Sequence, residues 1–435
     1  MIKEFTVKIE GAENLTFPRM VPVRQKFNTQ RVDSIPVAVR QEFSKPEVIR
    51  DLKPGAKVAV AVGSRGIANL KEIVKAVVEE LKGLGTQPFI VPGMASHGGA
   101  TAEGQEEVLA SFGITAAEMG VPLIASMDVV ELGTVDGCPL FFDKVAFESD
   151  AVVMINRIKP HTSFKGPVES GLLKMLVIGL GNHKGATAIH SMGFDRFREL
   201  IPKAGTLILG KIPPAVGVAV LENAYDETAK IVAVPGAAIP SREPELLAEA
   251  KSFMPRLLME SIDVLIVDEI GKDISGSGMD PNITGRVASG LKEGFNAPPI
   301  QKILVLGLTE RTHGSAVGIG MADVTTRKLV SNINFSYTYA NSITSTVVGA
   351  AKIPMFLNTE KEALLVAVKT CNRVKPEQAK IVRIKNTLEL NHILVSEPYL
   401  AELAGREDIE ILGEPFPLEF DNQGDILGPS GSRHW

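Results

Sequence analysis

Cysteine is nearly absent. The 435 residues hold two, Cys138 and Cys371, far apart and in no Cys-x-x-Cys pair. That argues against a disulfide framework, a zinc ribbon or an iron–sulfur site, and it fits a reducing cytoplasm. No apolar run approaches the ~20 residues that a membrane span needs. The opening residues, Met1-Ile2-Lys3-Glu4-Phe5, lack the basic and apolar regions of a signal peptide. A basic excess is also missing: the formal net charge is −5 and the pI is near 5.9. Nucleic acid and anionic membranes are therefore not expected partners, whereas a homo-oligomer is allowed. There is no Walker sequence, and Gly63-Ser64-Arg65-Gly66 lacks the spacing of a dinucleotide fingerprint. No His-x-His, His-Glu-x-x-His or Cys/His ligand set occurs, so most ligands of any bound metal must come from outside the protein.

What is there is an ordinary globular composition, 45% hydrophobic and 22% charged, long enough for about two to three domains. Lys57–Val62 reads as a strand, Asn69–Leu84 as an amphipathic helix, Gln87–Val91 as a strand and Ala102–Ser111 as a helix. That alternation predicts a parallel, doubly wound sheet. Further strands are expected at 151–155, 206–209, 216–221 and 231–234, and a Pro/Gly/Ala-rich break at 235–245. A second α/β unit follows, with strands at 262–267, 302–306, 381–384 and 393–395 and a helix over 335–351. The expected fold is α/β in two domains. Residues 1–258 form an N-terminal, mostly parallel sheet; residues 259–420 form a smaller C-terminal α/β domain; 421–435 is a frayed tail. Return of part of the late segment to the first domain is allowed, and the active site is expected in the cleft between the domains.

Four loops follow predicted strand ends, where open α/β sheets build their sites. The first holds Ser64 and Arg65, the second Ala95-Ser96-His97-Gly98-Gly99. The third is Lys159-Pro160-His161-Thr162-Ser163-Phe164-Lys165-Gly166, running on through Gly171 and Lys174 to His183, Lys184 and His190. The fourth spans Gly271 to Arg286. Each residue alone is compatible with a structural role: a lone histidine hydrogen-bonds or packs, and Arg65 suits a surface ion pair. Together, an arginine for bidentate carboxylate binding and histidines that titrate near neutrality suit a small anionic ligand. Gly166, Gly171, Gly179, Gly181 and Gly185 fit close backbone approach to a phosphate and tight packing equally well.

These segments resemble the nickel-dependent lactate racemase family of 2-hydroxyacid racemases and epimerases, over roughly residues 50–400. The resemblance implies that Arg65 binds the substrate carboxylate and that His97 and His161 are the two catalytic acid/base residues. It implies that Lys174, in Ser170-Gly171-Leu172-Leu173-Lys174, is joined covalently to a nickel-pincer nucleotide. His190 is then the protein's ligand to nickel; Ser64, Lys165, Gly171 and Lys184 are further residues expected to contact the cofactor. The family's first-loop Asp-His-Thr-Arg motif is Gly63-Ser64-Arg65 here, and Gly98-Gly99 stands where the family has Arg-Pro. Asp280-Pro281-Asn282-Ile283 resembles the start of the family's second-domain stretch, with Arg286 and His313 expected to recognise substrate. These departures put lactate in doubt, and the polar residues of the second domain (Asp273, Ser275, Asn282, Thr284, Thr309, Arg311 and Thr312 beside Arg286 and His313) lead to an expected substrate larger or more polar than lactate, since donors buried unpaired would cost ~1–3 kcal/mol each. The rival expectation is a non-racemase of the same fold that binds a nucleotide or an anion.

Overall fold

The computed structural model describes residues 3–11, 15–63, 66–291 and 293–428. The chain divides into two compact units, Asn28–Met254 and Met1–Phe27 with Pro255–Trp435. The strands in chain order are β1 (Met20–Gln25), β2 (Lys57–Val62), β3 (Gln87–Pro92), β4 (Val129–Val135), β5 (Cys138–Asp143), β6 (Ala151–Arg157), β7 (Ala215–Glu222) and β8 (Thr228–Pro235), then β9 (Ile262–Ile270), β10 (Ile300–Leu308), β11 (Val324–Thr326), β12 (Met355–Leu357), β13 (Ile381–Ile384), β14 (His392–Ser396) and β15 (Ile409–Ile411). The longer helices include α1 (Ile35–Phe43), α2 (Leu70–Gly83), α3 (Ala102–Ser111), α4 (Asn182–Ser191), α5 (Phe194–Leu209), α6 (Ile239–Phe253), α7 (Phe335–Thr344) and α8 (Glu360–Lys369).

The Asn28–Met254 unit is built on a five-stranded sheet of order β3-β2-β6-β7-β8. The first four strands are parallel, and β8 closes the edge antiparallel to β7. The Ala/Val runs of β2 and β6 are buried on both faces, as parallel strands covered by helices must be. Leu70, Ile73, Val74, Val77, Val78 and Leu81 make one apolar stripe on α2, which packs on the sheet. β4 and β5 form a separate antiparallel hairpin.

Two local expectations fail in this unit. Residues 206–209 are the last turn of α5, not a strand. The buried positions Phe197, Leu200, Ile201, Ala204 and Ile208 have helical spacing, which a four-residue window with Pro202 upstream conceals. The expected break at 235–245 is mostly α6, with Pro240 in its first turn, where a missing N–H costs nothing.

The other unit carries an eight-stranded sheet of order β12-β11-β10-β9-β13-β14-β1-β15. Strands β12 to β13 are parallel; β14, β1 and β15 add antiparallel neighbours. Separate apolar clusters cover its two faces. The expected first domain, 1–258, therefore loses its opening segment. β1 pairs with β14 from Met20↔Ser396 to Arg24↔His392, and that long-range pairing holds the N-terminal residues here. The expected helix over 335–351 stops at Thr344, and a 3-10 turn follows at Val348–Ala351, with Thr346 in the left-handed region at φ 59° between them. Residues 421–428 are not frayed. Ile426 N–H donates to Glu360 Oε2 at 2.8 Å, and Lys328 pairs with Asp425 at 2.8 Å. No helix among the described residues is long and apolar enough to cross a membrane.

Candidate active site

Three neighbouring parallel strands, β3, β2 and β6, end side by side: Val62 is in register with both Pro92 and Ile155. Their loops therefore leave the same edge of the sheet. They are the loops of His97, of Ser64 and Arg65, and of His161. Ser64 and Arg65 lie outside the described residues.

The His161 loop is held by a buried carboxylate. Glu169 is 1% exposed. Its Oε2 accepts the His161 backbone N–H at 2.7 Å and Lys165 Nζ at 3.0 Å, and its Oε1 accepts Lys251 Nζ at 2.8 Å. Lys165 Nζ also donates to the His161 carbonyl at 3.0 Å. Lys165, expected to contact the cofactor, is thus a tie within the loop. The His161 ring packs on Phe164, centroids 4.5 Å apart, and its Nδ1 accepts the Ser163 N–H at 3.0 Å. A neutral His161 ring consequently carries its proton on Nε2. Burial, then the positive charges of Lys174, Lys165 and Lys159, hold its pKa well below the usual histidine value, so it is neutral at physiological pH.

Lys174 stands in a helical run, Leu172–Lys174 followed by a π-turn at Met175–Gly179. It is the one residue of 171–180 that is not buried. Apolar neighbours hold the turn in the core, and the positive charge of its single lysine lowers the pKa values of two histidines. One of them is His190 on α4, ringed by Phe194 and Phe197 at 5.6 and 5.3 Å. Burial and then Lys174 lower the His190 pKa to about 4. Its Nδ1 is buried without a hydrogen-bond partner. An unprotonated imidazole with an orphaned nitrogen beside a partly exposed lysine is a donor set that a metal-bearing group fits. No cluster of three His, Cys, Asp or Glu among the described residues would hold a metal unaided.

His97 is exposed and caps a short turn at Gly98–Ala100. Its loop touches the Lys174 segment directly: Ala95, at φ 58°, donates its N–H to the Gly179 carbonyl at 2.9 Å. Gly179 admits that contact, because a Cβ there would stand 2.6 Å from the Gly93 carbonyl oxygen. Gln105 fixes the loop from α3, donating to the Ala95 carbonyl at 3.0 Å. The structure thus joins the loops of His97 and His161 to the Lys174 turn, with His161, Lys174 and His190 in electrostatic contact.

Other expected site residues fall elsewhere. Lys184 is exposed, its Nζ 4.4 Å from the Phe141 ring centroid. Arg286 does not face an open crevice. Its guanidinium is spent on Asp323, at 3.2 and 3.0 Å, and on the carbonyls of Ile300 and Gln301 at the start of β10. His313 is exposed at the end of a 3-10 turn, at φ 50°. The polar residues offered beside it bond among themselves: Thr309 Oγ1 donates to Asp273 at 2.6 Å, Asn282 Nδ2 to Asp280 at 2.7 Å, and Thr312 Oγ1 to the Ser315 carbonyl at 3.0 Å. Donors paired in this way give no ground for expecting a polar substrate. Gly171 has a structural duty: a methyl group on it would overlap Glu243 Oε1. Glu243 itself went unread in the sequence. The available signal was a carboxylate on the apolar face of α6, in line with Ile239, Leu246, Leu247 and Ala250.

Residues 3–199 match the family model of the lactate racemase N-terminal domain. No curated protein matches the chain. The lactate racemase apoprotein of Thermoanaerobacterium thermosaccharolyticum is 13% identical in sequence, with a TM-score of 0.50 over 89% of this chain and 96% of that one. A protein from Thermotoga maritima gives 15% identity and a TM-score of 0.48 over 74% and 84%. The first of these likenesses shows the fold.

Proposed function

Starting from a lactate racemase N-terminal domain at residues 3–199, on a chain with the lactate racemase fold, we propose that the protein inverts C2 of a 2-hydroxyacid. The observation that carries this reading is the group formed by Lys174, His190 and His161: one outward lysine on a buried turn, with two neutral histidines beside it. In this reading Lys174 anchors a nickel-pincer nucleotide, and His190 offers its unprotonated ring to the nickel. Such a group supplies a hydride acceptor and donor, which spares the reaction a carbanion.

The protein's share is binding, orientation and proton handling. Arg65 pairs with the substrate carboxylate. His97 takes the hydroxyl proton. His97 also returns that proton to the product oxygen, while the Nε2–H of neutral His161, held there by the Ser163 contact, hydrogen-bonds the substrate oxygen and stays on the ring. For the opposite enantiomer the two exchange roles, and His161 must then release the Ser163 N–H. The phenylalanines 164, 194 and 197 keep water from the His161 and His190 rings. A low-dielectric wall of this kind strengthens the charge interactions it encloses. The altered first and second loops favour an acid other than lactate. The test is intact-mass and nickel analysis of protein produced with the cofactor's biosynthetic enzymes, followed by racemisation assays over a hydroxyacid panel. Expected are an adduct on Lys174, one nickel per chain, and a best substrate longer than lactate. A loaded protein that inverts no 2-hydroxyacid overturns the function, and an adduct on another lysine overturns the anchor.

A further inference from the structure

One buried carboxyl next to the Lys174 turn has no part in the chemistry above. Glu243, on α6, is 1% exposed. Its Oε2 accepts the N–H of Leu173 at 2.8 Å, and the Leu172 N–H also bonds to the carboxylate. These amides open the helical run that bears Lys174, where backbone N–H groups have no partner within the helix. Across the turn, Asn156 Nδ2, from the end of β6, donates to the Gly171 carbonyl at 2.8 Å. The turn is therefore gripped by β6 on one side and α6 on the other.

Glu243 Oε1 is buried without a hydrogen-bond partner and lies against Gly171, where even a methyl group would overlap it. No ligand fits between them, so the carboxylate is an anchor and not a binding site. Burial raises its pKa to about 7, against the pull of the Leu173 and Leu172 amides. A buried carboxylate is expensive; leucine or glutamine in its place would spare that cost, and leucine would leave the two amides unmet.

We propose that Glu243 is a positioning residue for Lys174: it fixes the turn from which that side chain emerges, and Gly171 is glycine to admit it. The functional meaning rests on Lys174 being the cofactor's attachment residue. The mechanical claim is tested without the cofactor.

The experiment uses the full-length chain as Glu243→Gln and Glu243→Ala. Hydrogen exchange is read at the amides of 172 and 173. Trace acetylation by acetic anhydride, read by mass spectrometry, compares Lys174 with Lys184 in the same sample. Glu243→Gln keeps an acceptor and is expected to stay within about twofold of wild type in both readouts. Glu243→Ala is expected to speed exchange of the two amides about tenfold and to shift the Lys174/Lys184 labelling ratio about threefold, the scale of one unmade buried hydrogen bond. An unchanged ratio and unchanged exchange overturn the proposal. So does an alanine variant that loosens β2 and β6 amides as much as 172 and 173, for that is general destabilisation. Where Glu243→Ala does not fold, Glu243→Asp, one methylene short of the amides, gives the same readouts. Wild-type protein that takes no adduct on Lys174 after loading sinks the cofactor reading and leaves these results standing.

Discussion

Replacing Glu169 tests whether its buried carboxylate holds the His161 loop. Three donors converge on it: the His161 N–H, Lys165 and Lys251. The two lysines differ in setting. The Lys165 side chain is 12% exposed and that of Lys251 is 44% exposed, with Glu169 at 0%. Removing one member of a buried pair strands the other and costs about 3–5 kcal/mol, whereas an exposed partner is worth about 0.2–1 kcal/mol. Glu169→Gln should therefore lose about 3–5 kcal/mol, since its amide turns a donor toward donors. Lys165→Met should lose about 3 kcal/mol and Lys251→Met at most about 1 kcal/mol. The assay is urea unfolding followed through hydrogen exchange of β6 amides, which reports this unit. Loaded enzyme should lose kcat in the order Glu169→Gln, Lys165→Met, Lys251→Met. Equal losses for the two lysine variants, or a glutamine variant within about 1 kcal/mol of wild type, would refute the reasoning.

Gly171→Ala should cost about 1–3 kcal/mol, because the new methyl meets Glu243 Oε1; an alanine variant as stable as wild type by urea unfolding contradicts this. The His190 pKa falls from 6.5 to about 4 on folding, so the unfolded chain binds that proton first. The stability it contributes is complete above 6.5 and is lost as pH falls toward 4, about 3 kcal/mol in all. His190→Gln should be less acid-sensitive over that window by one proton's slope, and an unchanged slope in pH-dependent denaturation is the contrary result. Glu360, in the other unit, goes the opposite way: burial raises its carboxyl from 4.5 to about 7. The folded state holds that proton more tightly, so stability is complete below 4.5 and lost as pH rises through 7. Glu360→Gln should gain about 3 kcal/mol on wild type between pH 4.5 and 8; equal stability differences at the two pH values would count against it.

Local pattern was enough for much of this protein. The Ala/Val run of β2 and the apolar stripe of α2 are periodic over their own length, so each announces its form without help from elsewhere. The βα alternation then dictates a parallel sheet, and a parallel sheet puts the loops of His97 and His161 on one edge. Tertiary structure decided what depends on partners far along the chain. β1 reads as nothing until β14, over 350 residues away, supplies its ladder. Arg286 looks like a substrate clamp until Asp323 claims it, and residues 206–209 look like a strand until α5 packs. Glu169 and Glu243 carry the same lesson. A carboxylate's cost or use is fixed by the donors that fold against it, the Lys251 ammonium for one and the Leu173 amide for the other. Sequence spacing encodes periodicity along an element, whereas burial and pairing are properties of elements brought together, and only the folded chain states them.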